Sequence, residues 1–145
     1  MASRAELPVP LGEGPGEGSV SPTRPARRIV RSFRFAFAGL AVLVRTQPNV
    51  WIHIALAALA LALAVLLRLP AGQIALVILT IGLVLTAEAF NTAIETLADV
   101  ASPGYHPLVR TAKDVAAAGV LLAALAAIGV AVALFGPRVV GPLLR

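Results

Sequence analysis

Three apolar stretches, at about residues 50–69, 73–97 and 115–135, dictate the architecture of this chain. Each is long enough to cross a hydrocarbon core of about 30 Å, which takes about 20 helical residues. Backbone polar groups inside a bilayer must bond within their own segment, so runs of this length fold as helices. Composition points the same way. Of the 145 residues, 59% are hydrophobic and 13% charged, too apolar for a water-soluble domain and too few for more than one folded unit. There is no internal repeat and no strand-like alternation. The expected fold is an all-α membrane protein with one amphipathic surface helix and three transmembrane helices in a bundle.

Residues 1–23 are rich in Pro, Gly, Ser and Glu and offer little to bury, so a disordered tail is expected ahead of a membrane domain at 24–145. The segment lacks the cationic start, apolar centre and cleavage site of a signal peptide. Over residues 27–45 the pattern changes, with Ile29, Val30, Phe33, Phe37, Leu40 and Val44 on one side and Arg27, Arg28, Arg31 and Arg34 largely on the other. This is the signature of a helix lying in a membrane surface. Pro48 breaks the chain between it and the first span. The formal charge of +5 is concentrated at Arg24, Arg27, Arg28, Arg31, Arg34 and Arg45, directly before that span, and so reads as an attraction to anionic headgroups rather than to nucleic acid. The same cluster predicts a cytoplasmic amino terminus, a return to the cytoplasm of residues 99–114, which are expected to form a polar loop between the second and third spans, and an outward carboxyl terminus. With no cysteine, disulfide and thiolate chemistry are excluded.

The second apolar stretch is not uniformly apolar. Glu88, Asn91, Glu95 and Asp99 interrupt it at offsets of three, seven and eleven, which place all four along one helical face. An ionisable group at membrane depth is costly by a few kcal/mol or more, so it pairs, binds an ion or lines a wet cavity. Lys113 and Asp114 stand where the third span begins. Carboxylates facing one cavity can hold Mg²⁺, whose remaining ligands are commonly waters and phosphates. A metal, a general base and a lysine together are the parts that phosphoryl transfer requires. No GxxxxGK[ST] loop and no GxGxxG run after a strand occurs, so a kinase built on this chain is of a helical, unrelated type. On the residues alone, two other classes stay open: a proton or cation path formed by Glu88, Glu95 and Asp99, and a non-catalytic scaffold. His53, inside the first span, reads as an interfacial residue or one bonded to a neighbouring helix rather than as a ligand.

The run from Glu88 to Glu95, followed by Asp99, Tyr105-His106-Pro107 and Ala112-Lys113-Asp114-Val115, resembles the signature of the prokaryotic integral-membrane diacylglycerol and undecaprenol kinases. The likeness extends back through Ser32-Phe33-Arg34 and Asn49-Val50-Trp51-Ile52-His53, and covers about residues 27–135. It implies a homotrimer in the bacterial inner membrane that uses Mg²⁺ and ATP to phosphorylate a lipid hydroxyl, undecaprenol first and diacylglycerol second. Glu88 matches the family's general base and, with Asn91, meets the acceptor and phosphate. Glu95 matches a metal- and nucleotide-binding carboxylate. Arg28, Gly104, Tyr105, His106, Lys113 and Asp114 match nucleotide-contacting positions. Gln47 stands where the family usually has a second metal-binding glutamate, and its amide oxygen brings a donor without a charge. Trp51 and Phe35 also depart, from arginine and tyrosine respectively.

Overall fold

The computed structural model describes residues 25–141. They form four helices and no strand: α1 (Pro25–Thr46), α2 (Pro48–Leu66), α3 (Ala71–Ala101) and α4 (Pro107–Val140). The tail expected at residues 1–23 lies outside the described residues. The chain divides into a first unit ending at Arg34 and a second running from Phe35 to Arg145. The described part of the first unit is the start of α1, where Arg27, Arg28, Arg31 and Arg34 are exposed, as are Ile29, Val30 and Phe33.

Prolines set the helix boundaries. Gln47 is the N-cap of α2 in an extended conformation (φ −112°, ψ 106°), which a following proline favours, and Pro48 opens the helix without wasting a donor. Pro107 opens α4 in the same way behind His106. At the corner between α1 and α2, the Trp51 indole Nε1 donates to the Val44 carbonyl at 3.1 Å, supplying a partner to an oxygen that the end of α1 leaves open.

The turn from α2 to α3 is a Schellman motif. Leu69 N–H donates to the Ala64 carbonyl at 2.9 Å and Arg68 N–H to that of Val65 at 3.0 Å, and Leu69 packs in a small core with Ala64, Val77 and Leu134. Glycine usually occupies the left-handed position of this motif; here it is Arg68, with φ 50°. Arg68→Gly should therefore raise stability by about 1 kcal/mol, read as a higher midpoint of thermal unfolding in detergent; an unchanged or lower midpoint would show the arginine to be unstrained.

Helix length then locates the polar groups. α2 has 19 residues, about 28 Å at 1.5 Å per residue and so one hydrocarbon thickness, whereas α3 has 31 and α4 has 34. The tight turn holds the end of α2 level with the start of α3. Arg138 near the end of α4 is level with them too, its Nη2 donating to Gln73 Oε1 at 2.8 Å. The surplus length of α3 and α4 accordingly projects past the opposite face, beyond Pro48. Residues 99–114, expected to form a polar loop, are in fact mostly helical, and only 102–106 connect α3 to α4. Hydropathy marks where a helix leaves the hydrocarbon, but a helix continues into water while its backbone bonds hold.

All three of these helices are long and apolar enough to span a membrane. Their outer faces carry exposed Leu59, Leu79, Ile128 and Val132, a surface suited to lipid and not to water. Helix α3 packs most extensively on α4, where Ala123 is buried, and next on α2. Small residues are frequent along α4; of these Ala123 is buried, whereas a Cβ added at Gly119 would meet nothing within 4 Å. Among the described residues the only buried polar ones are Glu88 and Thr92, both on α3.

Candidate active site

Antiparallel packing of α2 on α3 pairs residues whose numbers sum to about the same value, and two such pairs build the site. At the membrane boundary, Gln47 meets Glu95; six residues further along α2, His53 meets Glu88. The His53 Nε2 to Glu88 Oε1 distance is 3.0 Å, and Glu88 is only 3% exposed. Thr92, one turn on, donates its hydroxyl to the Glu88 backbone carbonyl at 2.9 Å and so leaves the carboxylate itself to His53.

Glu95 is held by amides. Asn91 Nδ2 donates to its Oε1 at 3.0 Å, and Gln47 Nε2 makes a longer contact of 3.5 Å with its Oε2. Asn91 Oδ1 is buried without a partner. Leaving such an oxygen unsatisfied is costly by about 1–3 kcal/mol, and it calls for a donor or a cation. A half-turn of either amide exchanges its nitrogen for its oxygen, so Glu95, Asn91 and Gln47 can present three oxygen donors in one place. That set suits a hard cation such as Mg²⁺. It carries one negative charge, and no group of three acidic or imidazole side chains able to hold a metal occurs among the described residues. A cation here would therefore draw its remaining ligands from water or from a phosphorylated partner.

One turn beyond Glu95, Asp99 forms an ion pair with Lys113 across the α3–α4 junction. Asp114 turns elsewhere and pairs with Arg110 at 3.8 Å, both side chains well exposed. Gly104, Tyr105 and His106 lie in the exposed connection, where Ser102 Oγ donates to the Gly104 carbonyl at 3.1 Å. Arg28, in the first unit, is exposed, and its carbonyl accepts a bond from Ser32. Within the second unit the structure thus gathers Gln47, His53, Glu88, Asn91, Glu95, Asp99 and Lys113 into one polar column, and among the described residues records no hydrogen bond or ion pair from Gly104, Tyr105, His106 or Asp114 to it. His53 and Thr92 were absent from the sequence-based set. The signal for His53 was the one that singled out Glu88, a titratable group within an apolar span.

An acid buried beside an imidazole, with a cluster of oxygen donors and a lysine further along the same helices, all of them long and apolar enough to span a membrane, defines the class as a helical membrane protein with a polar column between its helices. Comparison with known proteins narrows the class. Residues 34–135 match the family model for prokaryotic diacylglycerol kinase, and the chain belongs to that family. It is 37% identical over 136 residues to a diacylglycerol kinase of Synechocystis sp., covering 88% of this chain and 78% of that protein. It is 32% identical over 111 residues to the undecaprenol kinase of Bacillus subtilis, covering 77% of this chain and 90% of that one. The chain is a membrane lipid kinase.

Proposed function

We propose that the chain transfers the γ-phosphate of ATP to undecaprenol in the bacterial inner membrane. The observation that carries this reading is the pairing of a 3%-exposed Glu88 with an oxygen-donor cluster whose carboxylate, Glu95, lies two turns away, about 10 Å along α3. The separation suits two substrates arriving from opposite sides, a lipid hydroxyl from the membrane and a nucleotide from water. Glu88 takes the hydroxyl proton as the oxygen attacks the γ-phosphorus; a bond forms from lipid oxygen to phosphorus, and the bond from phosphorus to the bridging oxygen breaks, releasing ADP. Glu95, Asn91 and Gln47 would hold Mg²⁺, which would supply positive charge against the phosphates. Lys113 offers its ammonium to the same phosphates, and Asp114, Arg28 and the Gly104-Tyr105-His106 connection take the rest of the nucleotide, with Arg28 in the arginine-rich surface helix. The amino terminus is cytoplasmic, and the working unit is a homotrimer.

A diacylglycerol acceptor is the second reading, favoured by the 37% identity to a protein of that name. Purified protein in mixed micelles, given labelled ATP and each lipid separately, discriminates. We expect label in undecaprenyl phosphate; label in phosphatidic acid alone would make the second reading correct. Cation flux without ATP, and no lipid product, would favour an ion path.

A further inference from the structure

Glu88 needs more than burial to act as a base, because a glutamate has three rotatable bonds and a free carboxylate samples several rotamers. Among the described residues, the partner recorded for its carboxylate is His53, at 3.0 Å. The other nearby candidates are otherwise engaged: the Thr92 hydroxyl is bound to the Glu88 backbone, and the Asn91 amide is turned to Glu95. An ionised carboxylate only accepts hydrogen bonds, so the contact requires the imidazole proton on Nε2. The ring is itself confined. Its side chain is 18% exposed, and among the described residues it is the one titratable group lining an open apolar groove of about 300 Å³ along α2, α3 and α4, with Ala60, Val84, Ala127 and Phe135 among its other lining residues.

We propose that His53 is a positioning residue for Glu88: it ties one carboxylate oxygen to α2, so that the other is presented to the acceptor hydroxyl. This rests on Glu88 being the base of the kinase reaction. The His53 side chain itself takes no proton from substrate in this scheme; the hydroxyl proton goes to the free oxygen of Glu88.

The test compares His53→Leu, which has no donor, with His53→Gln, whose Nε2–H reaches about as far as the imidazole Nε2. His53→Leu should lower kcat for lipid phosphorylation by about 10- to 100-fold, with the KM for Mg-ATP within about twofold, since a misdirected base slows the chemical step and leaves nucleotide binding alone. His53→Gln should recover kcat to within about threefold of the unaltered protein. Equal losses in the two variants, or a kcat within twofold in His53→Leu, would overturn the positioning role and leave the kinase reading standing. No transfer by the unaltered protein would overturn both. Independently of turnover, ¹⁵N NMR of the labelled imidazole should show the Nε2–H tautomer, and the Nδ1–H tautomer would overturn the proposal.

Discussion

Glu88→Gln lowers lipid phosphorylation by at least about a hundredfold, the lower range for loss of a positioned general base. The substitution preserves shape, and the new amide oxygen can still accept the bond from His53 Nε2 that now reaches Glu88 at 3.0 Å. It removes one capacity, that of taking a proton. Because Glu88 lies two helical turns from Glu95, the charged member of the cluster, and the Asn91 amide is turned to Glu95, the KM for Mg-ATP should stay within about twofold, and the loss should fall in kcat and kcat/KM together. Steady-state transfer of labelled phosphate in mixed micelles, at saturating Mg²⁺, provides the check. A rate within tenfold of the unaltered protein would take the proton-accepting role away from Glu88. The scaffold alternative predicts such indifference, and the ion-path alternative predicts that flux, not phosphate transfer, responds.

The parts of this molecule that could be read from sequence are those governed by periodicity and by the cost of burying charge. Three apolar runs specified three spanning helices, and the arginine-rich run before Pro48 specified a fourth. The offsets from Glu88 to Asn91 and Glu95 placed them on one face, and α3 carries them so. The stretch at 99–114 was misjudged because hydropathy falls where a helix leaves the bilayer, although the helix itself persists to Ala101 and resumes at Pro107. Partners across helices were harder still. That Glu88 faces His53, Glu95 faces Gln47 and Asp99 faces Lys113 depends on the register of antiparallel helices, which the turn at Arg68 fixes for the first two pairs and the connection at 102–106 for the third, and which no single segment reveals. The role of Gln47 shows the same limit: resemblance marked it as a departure, and the structure gives it a concrete consequence by setting its amide against the one carboxylate of the cluster.

That arrangement leaves Glu95 as the sole charge of the proposed cation cluster. Gln47 brings an amide and no charge, so the donor set of Glu95, Asn91 and Gln47 holds one negative charge. Glu95→Gln would reduce it to none and leave three amides, which bind a divalent cation poorly because most of the attraction between a hard cation and oxygen ligands is electrostatic. The expected result is a loss of at least about a hundredfold in kcat/KM for Mg-ATP, on the scale of removing one strong electrostatic contact from a phosphoryl-transfer site. Gln47→Glu moves the charge the other way. Alone, it should lower the Mg²⁺ concentration needed for half-maximal rate; combined with Glu95→Gln, it restores the single charge at a position 3.5 Å from the one lost. The double variant should therefore recover at least tenfold of the activity that Glu95→Gln loses, because residues sharing one ligand are not additive. Mg²⁺ titrations of the three variants at fixed ATP measure this coupling. Strictly multiplicative effects would mean that Gln47 and Glu95 do not meet a common ion, and an unchanged Mg²⁺ requirement in Gln47→Glu would remove Gln47 from the metal site.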